Sequence, residues 1–249
     1  MLCRNTQEAT AILTALNYFS KHDPGLKVKE VGMCGAGLEM NTTNSVDKNN
    51  TGVDDPGLII GASPDAVIEY SNGTLEVLEV KNHCPFVPNI RMKTSKKHGG
   101  KKGSLNSCKY RIRVLSIDPC ILPAYIPQLM MEMLCVGNNC RSAIMVRQTA
   151  TNGAIILRLH RDDEWIKEMI YWLQKFMTNY VNKGISPEQN FFWDDHDNNN
   201  NDESLKRYRN FVEWTNDLSK KIDVVERISN SSIQRVRGDE DLPLPLFLD

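Results

Sequence analysis

The sequence predicts an α/β fold with a mixed central β-sheet flanked by helices. Three observations carry this reading. Apolar residues recur at helical spacing in residues 6–22, 123–136 and 162–183. Short segments with strand character lie between them, at 58–61, 66–70, 75–81, 110–117, 142–150 and 154–160. The resulting order of helix, strands, helix, strands, helix places helices against the faces of one sheet. With 249 residues, 41% hydrophobic and 24% charged, the chain can bury a sizeable core.

The elements follow in order. In residues 6–22, Ala9, Ile12, Leu13, Leu16 and Phe19 form one apolar stripe, Thr6 is a candidate cap, and Asp23-Pro24-Gly25 is a stop. Glu8 then falls on the first turn, close to the stripe. Val28–Met33 is a short strand candidate, and residues 41–56 are a polar Asn-, Thr-, Asp- and Gly-rich loop. Leu58–Gly61, Ala66–Tyr70 and Leu75–Lys81 read as consecutive strands, the last two joined at Ser71-Asn72-Gly73. Residues 87–105 are basic and aperiodic, hence a long exposed loop. In 123–136, Ile126, Leu129, Met130, Met133 and Leu134 form the buried side. Thr151-Asn152-Gly153 turns a second hairpin. Asp162 caps the helix that runs to about Lys183. The Asp/Asn run from Asp194 to Glu203 reads as a linker, residues 204–226 as one more helix, and the last dozen as extended chain. Two parts are therefore expected: a domain over 1–193 and an acidic linker with a helical appendage over 194–249.

The chemistry concentrates in residues 61–81, Gly-Ala-Ser-Pro-Asp-Ala through Glu-Val-Lys. Side chains alternate along a strand, so Glu79 and Lys81 share a face while Leu78 and Val80 point away. The turn brings Asp65 opposite that pair. Two carboxylates beside an ammonium suit a divalent cation and an attacking water. An E-x-K triplet alone also fits a solvated ion pair on a strand face. Asp65 preceded by proline, Cys84-Pro85-Phe86 after the strand, and Gln128 on the next helix sharpen the reading.

Together these motifs resemble the phage lambda exonuclease and YqaJ-type viral recombinase family, within the PD-(D/E)xK nuclease superfamily. The matching segments are Ser63-Pro64-Asp65-Ala66, Glu79-Val80-Lys81 with Cys84-Pro85-Phe86, and Tyr125-Ile126-Pro127-Gln128. Thr6-Gln7-Glu8-Ala9 looks like the family's helix that contributes a further glutamate, and Arg161-Asp162-Asp163-Glu164-Trp165 with its following helix is also similar. The likeness spans about residues 4 to 187. Ala66 replaces the family's glycine, Asn82-His83 separates the lysine from Cys-Pro, and Met130 stands at the second glutamine. The family's still earlier helix, with its basic residue for the terminal phosphate, is expected to be absent.

The resemblance implies a restriction-endonuclease-like core and Mg²⁺- or Mn²⁺-dependent hydrolysis of duplex DNA ends in recombination or replication. Asp65, Glu79 and the Val80 carbonyl are the expected metal ligands. Lys81 orients the water and offsets growing charge; Gln128 bonds near the metal water or holds Lys81; Glu8 is a further candidate. A ring-shaped homo-oligomer and a single-strand annealing protein are the implied partners. Two other readings stay open: a DNA-binding protein on a decayed nuclease scaffold, and a repair or restriction endonuclease.

Charge distribution agrees with a polyanion partner. The net charge of −1 conceals nine Lys or Arg and no Asp or Glu between Arg91 and Arg113. Lys93, Lys96, Lys97, Lys101, Lys102, Lys109, Arg111 and Arg113 are the expected DNA-backbone contacts. Aromatic residues are sparse there, so duplex tracking fits better than base stacking. Residues 194–249 carry thirteen acidic and eight basic side chains. Seven cysteines without a C-x-x-C pair point to free thiols in a reducing, intracellular compartment, nucleus or cytoplasm alike. No apolar run approaches the roughly 18 residues of a membrane span, so no membrane partner is expected.

Overall fold

In the computed structural model, which describes residues 2–37, 59–82, 86–88, 110–112, 119–149, 151–187 and 203–236, the first helix anchors one face of the sheet. Helix α1 (Leu2–His22) buries Ala11, Ala15 and Phe19, spaced four apart along one side. It starts at Leu2, so Thr6 is an interior residue and Glu8 lies in the second turn. The expected stop holds: Asp23 closes the helix through its N–H to the Phe19 carbonyl, 2.9 Å. The Asp23 carboxylate then accepts N–H bonds from Gly25, 3.0 Å, and Ser71, 2.8 Å.

The next strands are β1 (Lys27–Lys29), β2 (Cys34–Gly37), β3 (Ile59–Ala62), β4 (Ala66–Glu69) and β5 (Leu75–Val80). After β6 (Phe86–Pro88) and β7 (Tyr110–Ile112) come a 3-10 turn, Pro123–Tyr125, and helix α2 (Ile126–Val136). Strands β8 (Cys140–Thr149) and β9 (Gly153–His160) precede helix α3 (Asp163–Phe176), which continues as a π-helical turn over Met177–Val181. Helix α4 (Glu203–Leu218), strand β10 (Asp223–Ile228) and helix α5 (Asn230–Val236) complete the described chain. Among these residues no helix is long and apolar enough to cross a membrane.

The central sheet has the order β1-β4-β5-β8-β9-β10. Strands β5 and β8 run parallel and every other neighbouring pair is antiparallel, so the sheet is mixed as expected. The parallel pair requires a crossover, and α2 lies within it. Strand β3 does not join the β4–β5 hairpin; it pairs with β2 in a separate ribbon, and β6 pairs with β7 in another.

Alternation along β5 sorts its side chains between two cores. Leu78 and Val80 pack on the α1 face with Ala66, Ile68, Ile144 and Val146. Val77 faces the other layer with Leu129, Met130, Met133, Trp165 and Ile170. Burying each such Leu, Ile or Met contributes roughly 1.5–3 kcal/mol. Helix α3 starts where expected, with Asp162 accepting the Trp165 N–H at 3.0 Å.

The division expected at 193/194 does not appear as a break in packing. Trp165 stacks on Phe211 with centroids 5.0 Å apart, and its indole N–H donates to Thr215 at 3.0 Å. Leu218 lies in the same core as Met133, and β10 is the sheet's edge strand against β9. The helix expected over 204–226 ends at Leu218. The β-branched Val224, Val225 and Ile228 that follow belong to a strand, because β9 offers them a free edge.

Candidate active site

The β4–β5 hairpin positions the acidic pair. Tyr70 N–H donates to the Thr74 carbonyl at 3.0 Å, Asn72 Oδ1 accepts the Thr74 N–H at 2.9 Å, and Gly73 adopts φ 83°. That positive φ is what the turn asks of a glycine. The register pairs Ala66 with Leu78, leaving Asp65 one residue past the ladder. Pro64 is buried there and has no N–H to extend the pairing. The Val80 N–H donates instead to Asp65 Oδ2, 2.7 Å away. The Asp65 carboxylate thus takes the place of a strand acceptor, and the backbone of β5 itself holds it next to Glu79.

Glu79 points into the α2 layer and is only 5% exposed. Its Oε1 accepts hydrogen bonds from Lys81 Nζ and from Gln128 Nε2, the latter at 2.7 Å. Lys81 Nζ donates also to Gln128 Oε1 at 3.0 Å and lies 5.1 Å from the centre of the Tyr125 ring. The Lys81 N–H continues the parallel ladder to the Val146 carbonyl, 2.8 Å, which fixes the backbone under this side chain. Gln128 Nε2 makes one more bond, to Glu132 Oε1 at 2.8 Å. Residues from three separate segments therefore close into one network at the end of β5. Of the two contacts expected for Gln128, the one to Lys81 is present.

Sequence reasoning missed Glu132. It is 1% exposed, and its Oε2 is buried with no hydrogen-bond partner. The available signal was modest: Glu132 is the one charged residue in Ile126–Val136, four positions after Gln128 and hence on its side of the helix. Asn82, next to Lys81, likewise buries both carboxamide atoms without partners.

Electrostatics make the group unusual. Burial pushes the Glu132 carboxyl up to about 8, with the Glu79 charge adding and the Gln128 hydrogen bond opposing. Burial also raises Asp65; the Val80 N–H works against this, and the Glu79 carboxylate reinforces it. Three carboxylates against one ammonium would leave the fully ionised group at about −2, a charge that burial penalises. Protons or a divalent cation can offset it. Among the described residues, no three His, Cys, Asp or Glu side chains gather as a ready metal cage. Asp65 and Glu79 with the Val80 carbonyl remain a fitting donor set for Mg²⁺ or Mn²⁺, ions that keep several waters or substrate oxygens in their shell.

The other expected site residues divide as follows. Thr14 of α1 lies 3.3 Å from Gln148 near the end of β8, and Phe19 lies beside Tyr70 in the turn between β4 and β5. The early turns of α1, with Glu8, therefore lie towards the sheet end that carries Asp65 and Lys81. Glu8 is partly exposed, and no hydrogen bond or ion pair joins it to Asp65, Glu79 or Lys81. Arg111 is exposed on β7, opposite Val87 of β6. Lys93, Lys96, Lys97, Lys101, Lys102, Lys109 and Arg113 lie outside the described residues, as do Cys84 and Pro85. The chain matches no protein-family model, no curated protein and no solved structure.

Proposed function

We propose that this chain is a metal-dependent deoxyribonuclease that hydrolyses phosphodiester bonds at duplex DNA ends, on a restriction-endonuclease-like core. One observation carries the reading: Asp65, Glu79, Lys81 and Gln128, drawn from three segments, form a single buried-to-half-buried network whose acids outnumber its cation. A structural ion pair needs no such excess of carboxylate. The motif resemblance to lambda-exonuclease-like enzymes supports the choice of DNA as substrate, as does the basic run from Arg91 to Arg113.

Asp65 and Glu79 would hold Mg²⁺ or Mn²⁺ together with the Val80 carbonyl. The ion, when bound, lowers the pKa of a coordinated water and neutralises charge on the phosphoryl oxygens. Lys81 would orient an attacking water and offset negative charge building on the scissile phosphate. Its ammonium cannot wander, because Glu79 and Gln128 grip it from two sides. The basic segment tracks the phosphate backbone.

The test is purified protein with end-labelled linear and closed circular duplex, with Mg²⁺, with Mn²⁺ and with neither. Metal-dependent loss of the linear label with the circle intact is the expected result; cutting of the circle would make the enzyme an endonuclease. Asp65→Asn and Glu79→Gln should each abolish cleavage with unfolding midpoints retained. Either variant cleaving at a near-wild-type rate would show the site to be misassigned.

A further inference from the structure

We propose that Glu132 is a positioning residue, which fixes the Gln128 carboxamide so that its oxygen faces Lys81 and its nitrogen faces Glu79. This rests on the nuclease reading for its functional consequence, although the contact itself does not. An amide can sit in either of two orientations that differ by a flip. In the observed one, Gln128 Nε2 spends one hydrogen on Glu79 Oε1 at 2.7 Å and the other on Glu132 Oε1 at 2.8 Å, while Oε1 accepts from Lys81 at 3.0 Å. The flipped amide would turn its oxygen on two carboxyl oxygens and its nitrogen on an ammonium. Glu132 thus adds a second accepting oxygen to the preference that the Glu79 carboxylate imposes. Gln128 and Glu132 sit one turn apart on α2, a rigid element packed into the core through Leu129, Met130 and Met133.

The second oxygen of Glu132 indicates how it acts. Oε2 has no partner and the side chain is 1% exposed. A bare buried oxygen costs more on a carboxylate than on a neutral carboxyl, because a charge loses more on leaving water. In the neutral acid Oε1 accepts from Gln128 and Oε2 carries the proton. The direction of the Glu132 shift agrees, since burial favours the neutral form. The function asked of Glu132 is that of a buried amide oxygen, and glutamine supplies the same atom in the same place.

Two variants test this in the full chain. Glu132→Gln should keep turnover near wild type. Glu132→Leu should lower kcat by about 10- to 100-fold, the usual cost of losing a supporting hydrogen bond one layer behind a reactive group. Its KM for DNA should hold, and its unfolding midpoint should not fall, because an apolar side chain suits the apolar helix. Glu132→Gln falling as far as Glu132→Leu would show that the charge itself is needed and would overturn the proposal. So would full activity in Glu132→Leu. A readout independent of cleavage is the ¹⁵N side-chain amide resonance of Gln128, identified by its absence in Gln128→Met. The pair of amide protons should stay protected from exchange in wild type and Glu132→Gln and lose protection in Glu132→Leu. If wild type cuts no DNA, the nuclease reading fails and the resonances alone decide; unaltered resonances in Glu132→Leu would refute the positioning role.

Discussion

Replacing Glu132 by glutamine should change how stability depends on pH, whatever the protein's activity. The wild-type carboxyl is held at about 8 in the folded chain against an ordinary value of 4.5. Its pKa is raised on folding, so the favourable contribution is complete below about pH 4.5 and is lost as pH climbs through the window to about 8. At about 1.4 kcal/mol per pH unit, the loss is roughly 3 kcal/mol by neutral pH and approaches 5 kcal/mol above pH 8. Asp65, also raised by burial, adds in the same direction. Glutamine cannot ionise and escapes the Glu132 share. Between pH 5.5 and 8.5, wild type should lose about 3 kcal/mol more than Glu132→Gln. Urea unfolding in metal-free buffer at several pH values measures this as a widening gap between the two midpoints. Parallel profiles, or a wild type that gains on the variant at alkaline pH, would refute the reasoning, because Glu132 would then be ionised and paired. Mg²⁺ should rescue wild type more at pH 8.5 than at pH 5.5, since a divalent cation offsets the same negative charge.

Three further outcomes are expected. Lys81→Ala should reduce turnover by orders of magnitude with little change in DNA affinity, measured by single-turnover cleavage beside equilibrium binding; a loss confined to binding would make Lys81 an ordinary phosphate contact. Neutralising Lys96, Lys97, Lys101 and Lys102 together should weaken DNA binding and flatten its salt dependence, and an unchanged slope of log affinity against log salt would dismiss the segment as a contact surface. A chain ending at Pro187 should aggregate or unfold well below wild type on size exclusion and thermal melting, because it strips Phe211 from Trp165, Leu218 from the core and β10 from the sheet edge; an unaltered midpoint would show that the last helices and strand contribute nothing.

Where information was local, the sequence could be read. Asn72-Gly73 and Asn152-Gly153 specify their turns, and the strands they join, β4–β5 and β8–β9, form hairpins at those positions. Asp162 caps its helix because an aspartate side chain needs only the N–H three residues on. Alternation along β5 is enough to put Glu79 and Lys81 on one face, whereas Gln128 is expected near them only through the motif resemblance carried by Tyr125-Ile126-Pro127-Gln128. The misses were non-local. Nothing between Asp223 and Ile228 announces that β9 has an open edge, so the helical pattern that begins at residue 204 reads on over a strand. Ile59–Ala62 reads as a strand in either sheet; its pairing with Cys34–Gly37 depends on chain more than twenty residues upstream. Glu132 is not legible in the sequence because a lone glutamate on a helix is ordinarily solvated, and only the packing of α2 against the sheet buries it.

Strand β5 carries two buried glutamates three residues apart, and their contrast is the best internal argument for where chemistry belongs. Glu76 faces the α1 layer. Its Oε1 accepts from Ser142 at 2.5 Å and Arg158 Nε at 2.7 Å, and its Oε2 from the Tyr70 hydroxyl and Arg158 Nη2. Every lone-pair direction has a donor, and the guanidinium balances the charge, so this group is closed and has nothing to offer a ligand. Glu79 faces the α2 layer and shares a single lysine with Asp65 and Glu132. There the acids outnumber the cation, one buried carboxyl oxygen makes no hydrogen bond, and an adjacent carboxamide has no partner at all. Both groups are buried by the same strand, so burial alone does not distinguish them. The difference is satisfaction. A fold that satisfies Glu76 so fully could have matched Glu79 with a second arginine, and the imbalance it keeps instead is the feature a cation and a phosphodiester would complete.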